Sequence, residues 1–296
     1  MRRLLLFPFL TLAGAPLAAQ NFDTVTVRVV PITQGVAMLV GAGGNLAVAW
    51  GTDATFVVDD QYAPLTEKIK AAIATLTPSP ARFVLNTHWH GDHTGGNENM
   101  GKAGALIVAH DNVRVRMSSE QLNKIFNRST PASPKGALPV VTFTEAVTFH
   151  LNGDEIQAFH VAPAHTDGDA VVWFKRANVV HMGDLYFNGR YPFIDVDSGG
   201  DIEGVIGAAN RVIAVIDDNT RVIPGHGTLS NKAELTRYRD MLVVARDRVK
   251  QLIAEGKNLE QITAARPLAE YDSTWGTGFI NPQVFLRLLY TSLGGK

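Results

Sequence analysis

Cysteine is absent from all 296 residues. That absence excludes disulfide staples, thiolate metal sites and cysteine nucleophiles together, so any metal must sit on His, Asp or Glu. Charge imbalance is missing too: 27 Lys+Arg face 28 Asp+Glu, a formal charge of -1. With no basic block there is no electrostatic reason to expect a nucleic-acid partner. The chain lacks repeats, low-complexity linkers and any apolar run long enough to span a bilayer. The uncharged stretch 4–20 is short for that purpose and is broken by Pro8 and Pro16. Apolar residues, by contrast, make up 46% of the chain, enough at this length to bury a real core.

Arg2 and Arg3, the short apolar stretch after them and the small-residue end Ala-Pro-Leu-Ala-Ala-Gln have the three parts of a secretory leader. Residues 1–20 are therefore expected to be a signal peptide cleaved near Ala19 or Gln20. Residues 21–296 are expected to be a single catalytic domain that includes the C-terminal helices. The destination is the periplasm or the medium, with no stable membrane insertion after cleavage, since no cysteine offers a lipid attachment point. Nothing in the sequence signals an oligomeric state.

Short β-rich runs open the chain at Val25 to Val30, Val36 to Val40, Leu46 to Ala49 and Thr55 to Asp59, with Gly, Asn and Asp between them. The turn 41–45 either closes a hairpin or flaps over a ligand. Helical spacing then appears in Leu65, Ile69, Ala72, Ile73 and Leu76, and strands follow at Arg82 to Leu85 and Ala105 to Ala109. Ser129 to Pro139 reads as an exposed loop beside the site. Further strands are expected at Val147 to Leu151, Ile156 to Val161, Ala170 to Phe174, Val179 to Met182 and Arg221 to Ile223. Helices are expected at Ile202 to Ile216, Lys232 to Ala254, near Leu259 to Ala264 and near Gln283 to Leu293. This order suggests an α/β fold of two facing sheets with helices outside, a four-layer αββα sandwich.

Directly after an apolar strand, residues 86–97 read Asn-Thr-His-Trp-His-Gly-Asp-His-Thr-Gly-Gly-Asn. His88, His90, Asp92 and His93 place four metal-competent side chains within six residues, on a loop opened by Gly91. Three more candidates stand at strand ends beside glycines: His165 in Ala-His-Thr-Asp-Gly-Asp, Asp184 in His-Met-Gly-Asp-Leu, and His226 in Pro-Gly-His-Gly. Five imidazoles and two carboxylates are too many for one tetrahedral zinc, which takes four ligands, and fit two ions that share a carboxylate.

With these motifs in this order, the mature chain resembles the metallo-β-lactamase superfamily. The resemblance implies two Zn2+ per chain: one held by His88, His90 and His165, the other by Asp92, His93 and His226, with Asp184 bridging. It also departs from many dedicated β-lactamases, which have cysteine where Asp184 stands and a lysine where Phe187 stands. In the metal set the chain looks more like glyoxalase II and the superfamily's lactonases. The wider pattern, down to the Leu-Leu-Tyr-Thr-Ser-Leu tail, is similar to secreted bacterial members related to the cysteine-bearing β-lactamases.

The function implied is hydrolysis of a small-molecule substrate, a β-lactam or other cyclic amide or ester, and with it antibiotic resistance. Zinc lowers the pKa of bound water to about 7, so the attack needs positioning more than a protein base. Asp92 is the natural catalytic proton acceptor and donor. Asn188 and Arg190 are candidates for orienting substrate. Asp59 and Asp169 are candidates for fixing ligand imidazoles from behind, or are ordinary turn carboxylates. His110, His150, His160 and His181 read as structural. Trp89 lines the mouth or packs under its loop, and Phe187, Tyr191 and Phe193 bind an apolar side group or serve the core. The competing functions are a lactone or thioester hydrolase, a metal-binding module without chemistry and a nuclease, the last opposed by the leader and the neutral charge.

Overall fold

The structure is a computed structural model that describes residues 21–295; the expected leader at 1–20 lies outside them. The chain lays down β1 (Arg28–Thr33), β2 (Val36–Val40), β3 (Leu46–Ala49) and β4 (Thr55–Val58). Then come α1 (Thr66–Ala74), β5 (Ala81–Leu85), α2 (Gly91–Thr94), α3 (Asn97–Lys102), β6 (Leu106–His110) and α4 (Asp111–Met117). A small hairpin, β7 (Gln121–Asn123) and β8 (Arg128–Thr130), precedes β9 (Val141–Phe143). The second half holds β10 (Ala146–Leu151), β11 (Asp154–His160), β12 (Ala170–Phe174), β13 (Val179–His181), α5 (Ile202–Val215), β14 (Arg221–Ile223), β15 (Ser230–Asn231) and α6 (Lys232–Ala254). The short helices α7 (Leu259–Ala265) and α8 (Ala269–Trp275) and then α9 (Pro282–Ser292) complete it.

Two sheets result, one in the order β1-β2-β3-β4-β5-β6-β9 and one in the order β10-β11-β12-β13-β14-β15. Strict alternation along the buried strands explains why they stack. Phe56, Val58 and Leu85 meet Val172, Phe174, Val179 and Ile223 in the core between the sheets. Their neighbours Val57 and Val84 point the other way, onto Leu65, Ile69 and Ile73 around α1. In the second sheet Val171 points outward onto a core built by Val205, Ala209 and Val212 of α5, Tyr238 and Leu242 of α6, and Phe285 and Leu289 of α9. Period two in the strands and period 3.6 in the helices together give a mixed α/β fold with helices on the outer faces.

The pairing switches between antiparallel and parallel, and that switch positions the site. β4, β5, β6 and β9 run parallel, as do β13 and β14. Parallel neighbours need crossovers, which leave the carboxyl ends of several strands opening on the same edge, where α/β sheets place their ligands.

Three local expectations change. The first strand starts at Arg28 rather than Val25, because 22–24 forms a turn capped by Asn21 and Lys68 Nζ holds the carbonyls of Phe22, Asp23 and Val25. The stretch Ser129 to Pro139 is partly β8 and partly a helical turn whose Ala137 is buried against Trp89. The His-rich motif is not wholly loop: His90 caps α2, and Asp92 and His93 ride on it. No helix among the described residues is long and apolar enough to cross a membrane.

Candidate metal centre

Asp59 follows β4 in the left-handed region, at φ 61°, unusual for a residue other than glycine. This turn aims a fully buried carboxylate at the end of β5. Asp59 Oδ1 accepts from Thr87 N at 2.7 Å, and Oδ2 accepts from Thr87 Oγ1 and His93 Nδ1, both at 2.8 Å. Asp60 N and Asn86 Nδ2 both donate to the His93 carbonyl, so the turn 88–93 is pinned from below.

Each neighbouring imidazole is fixed in the same way. His88 Nδ1 lies 3.0 Å from Thr87 Oγ1; since that hydroxyl gives its proton to Asp59, the ring donates. His90 Nε2 donates to Asp195 Oδ2 at 2.9 Å, and His165 Nδ1 donates to the Phe193 carbonyl at 2.7 Å. In all four anchored rings, His88, His90, His93 and His165, one nitrogen holds the proton against a fixed acceptor. The other is aimed inward, where His90 Nδ1 and His165 Nε2 lie 2.9 Å apart.

The inward atoms gather. Donor atoms of His88, His90, His165 and Asp184 lie within 4.8 Å of one another, and so do those of Asp92, His93 and His226. Asp184 serves both groups: Oδ1 is 3.1 Å from His93 Nε2 and 3.4 Å from His226 Nε2, while Oδ2 is 3.6 Å from His165 Nε2 and 3.9 Å from His88 Nε2. His226 Nε2 also sits 3.3 Å from Asp92 Oδ2. All seven expected ligands, drawn from four segments of chain, are therefore brought together.

Two observations fit a metal. His88 Nε2, His93 Nε2 and Asp184 Oδ1 are buried with no hydrogen-bond partner, although such atoms are rarely left unsatisfied. And ligands about 2.0–2.1 Å from a tetrahedral ion lie about 3.3 Å apart, close to most of the spacings above. The donor set, imidazole and carboxylate without sulfur, can hold a divalent cation.

The electrostatics differ across the centre. Burial among other imidazoles holds His88 well below its ordinary value. Burial likewise lowers His165 to about 4. Burial works the same way on His93 and His226, but the carboxylates of Asp184 and Asp92 overrule it, placing His93 well above its ordinary value and His226 at about 9. Asp92 ends at about 2: burial raises it, and His93 and His226 more than reverse that.

Glycines let the backbone close around the rings. A Cβ on Gly44 would fall 2.0 Å from His93 Cε1, and one on Gly225 2.0 Å from Asp184 Oδ1. The turn at 41–45 is no free flap. Gly44 N donates to the Asp92 carbonyl, Gln61 Nε2 donates to the Gly44 carbonyl, and Asn45 Nδ2 donates to the carbonyls of Pro224 and Gly227. The turn closes the β2–β3 hairpin and stitches the His226 segment to the first sheet.

The other candidates fall outside the donor cluster. Asn188 Nδ2 donates to the Thr228 carbonyl at 3.1 Å and lies 3.4 Å from Glu234 Oε2. Arg190 is exposed, with its stem alongside Gly278. The Asp169 carboxylate holds none of the candidate ligand imidazoles; it accepts from Thr166 N and Oγ1, shaping the His165 turn, and burial lifts it to about 7. Trp89 packs on Ala109, Val113 and Met117 beneath its loop. Phe187 stacks on His226 and Phe193 on His90, while Tyr191 stacks on Phe285 in the core. His181 donates to the Asn45 carbonyl, and His110 and His160 stack on each other between strand ends. Asp195, Gly44 and Asn45 are the contributors that sequence reasoning missed. Only Asp195 had a local cue, the end of the run Tyr-Pro-Phe-Ile-Asp.

Residues 41–239 match the metallo-beta-lactamase superfamily. The chain is 23% identical over 179 residues to a metallo-beta-lactamase type 2 of Bacteroides fragilis, covering 60% of this chain and 63% of the relative. It is 27% identical over 179 residues to a hydroxyacylglutathione hydrolase of a Polaromonas species, covering 60% of each. The match thus spans about three fifths of either relative's length. In fold it is similar to a metallo-beta-lactamase from Pontibacter korlensis, with TM-score 0.62, 19% identity and coverage of 74% of this chain and 99% of that one. It is also similar to the DIM-1 metallo-beta-lactamase, with TM-score 0.59, 18% identity and coverage of 75% and 99%.

Proposed function

The chain belongs to the metallo-beta-lactamase superfamily, and from that premise we propose that it is an exported hydrolase that holds two zinc ions and opens the amide ring of β-lactams. One observation carries the reading: the two carboxylate oxygens of Asp184 face two separate groups of imidazole and carboxylate donors, as a bridge between two ions requires. Export rests on the leader-like residues 1–20, and suits a substrate met outside the cytoplasm.

Zinc bound there would polarise a carbonyl and make water nucleophilic near neutral pH. The chain's own residues supply the rest. His88, His90, His165 and His93 present inward nitrogens whose direction is locked by their outer hydrogen bonds. Asp92, with 23% of its side chain exposed, and His226, equally exposed, form the solvent side where substrate enters. Asp92 is ionised at neutral pH and stands at that entrance, placed to take a proton from the attacking water and return it to the leaving nitrogen. Phe187 and Phe193 flank the imidazoles and shield them from bulk water.

A lactone or thioester hydrolase is the second reading, favoured by the all-His/Asp donor set and by the hydroxyacylglutathione hydrolase among the relatives. Turnover of nitrocefin, a carbapenem, an acyl lactone and a glutathione thioester by the zinc-loaded mature chain separates the two. β-Lactam hydrolysis no faster than with free zinc overturns the first.

A further inference from the structure

Phe279 is the most exposed of the large apolar side chains, at 76%, and lies in the segment between α8 and α9, beyond the stretch 41–239 shared with the superfamily. Isolated apolar residues on a surface need no explanation. Phe279 is not isolated: its ring lies 5.2 Å from that of Phe126, on the β7–β8 hairpin. Phe126 lies 5.5 Å from Phe193, and Phe193 stacks 5.7 Å from His90 of the metal centre. A line of ring contacts therefore runs from a solvated aromatic to a candidate ligand.

The inner part of the line is fastened to the centre. The hairpin is tied by Asn123 Nδ2 to Asp195 Oδ1, the carboxylate whose other oxygen holds His90, and by Lys124 N to Asp197 Oδ2. Phe193 shares its residue with the carbonyl that holds His165. Gly278, beside Phe279, packs along the stem of Arg190. Phe126 and Phe193 are thus held beside the site where the scissile carbonyl would sit, and Phe279 extends the line outward from Phe126.

We propose that Phe193, Phe126 and Phe279 form an apolar wall that binds an extended, uncharged acyl or aryl side group of the substrate, with Phe279 setting the preference for long groups. The proposal takes only the position of the reacting carbonyl from the hydrolase reading. An apolar group laid along the wall covers the Phe279 ring, which nothing else among the described residues buries, and gains the transfer energy of both surfaces.

The test uses the zinc-loaded mature chain and Phe279→Ser, a change at an exposed position that leaves the buried core untouched. Two 6-acylaminopenicillanates, acetyl and octanoyl, share one scissile bond and differ only in reach. The ratio of their kcat/KM values, octanoyl over acetyl, is expected to fall about tenfold in the variant, through KM. A second readout needs no turnover: saturation-transfer NMR of octanamide on the metal-free chain, where contact is expected in the wild type and should weaken in Phe279→Ser. An unchanged ratio with unchanged octanamide contact overturns the wall. If neither penicillanate is hydrolysed, the β-lactam reading falls and octanamide alone decides the wall.

Discussion

His88, His90 and His165 each spend their outer nitrogen on a fixed acceptor, Thr87, Asp195 and the Phe193 carbonyl. On the other side of Asp184, among the described residues, His93 is anchored on Asp59, whereas Asp92 and His226 keep 23% exposure. The two groups also differ in protons. His88 and His165 are lowered, so they stand neutral and ready to donate, whereas His93 and His226 are raised and hold protons that a cation must displace. The first group is preorganised for metal and the second trades metal against protons. A site of this kind should fill in two distinguishable steps.

The largest expected effect erases the comparison. Asp184→Asn takes the shared carboxylate from both groups, and should cost about a thousandfold in kcat/KM together with loss of bound zinc from each, measured by steady-state kinetics and native mass spectrometry. Retention of two ions would end the bridging assignment. Next is Gly44→Ala, which drives a methyl into the His93 ring and should weaken the second ion by about a hundredfold while sparing the first.

The paired variants Asp59→Ala and Asp195→Ala sharpen the contrast. Each should cost about 10–100-fold in zinc affinity, the former on the Asp92/His93/His226 side and the latter on the His88/His90/His165 side. Asp59→Ala should also cost about 1–3 kcal/mol of stability in urea, since the buried Thr87 N loses its acceptor. Identical patterns of metal loss would break the distinction.

The smallest effect, per unit step, is in pH. The raised His226 loses its proton as pH climbs to about 9, so affinity at the second group should increase about tenfold per pH unit between pH 6 and 9 as that proton is displaced. His88 and His165 are neutral throughout that window, and contribute no such slope to the first group. Titrations with zinc at three pH values check this, and two parallel slopes would refute it.

Much of the centre was legible before folding. His88, His90, Asp92 and His93 stand out through their spacing, and His165, Asp184 and His226 through glycines at strand ends. The long helix Lys232–Ala254 was readable to both ends, because Leu235, Tyr238, Met241, Leu242, Ala245 and Val249 repeat along one face. The helices α2, α3, α4 and α8, of 4, 6, 7 and 7 residues, were not, since one or two turns show too few positions for a period to emerge. The turn 41–45 is another case: its small residues suggested freedom, while the structure uses their smallness to wedge Gly44 against His93 and stitch Asn45 to the His226 segment.

Residue chemistry and local period by themselves determined the ligand types, the absence of sulfur among them and the layered α/β plan. Only the tertiary structure decided which atom of each ligand points inward. Asp195 lies 105 residues from His90, and the acceptor of His165 is a backbone carbonyl at Phe193 that no side-chain pattern encodes. Such partners meet because parallel strands from two sheets end on one edge, and that proximity exists only after the sheets have packed.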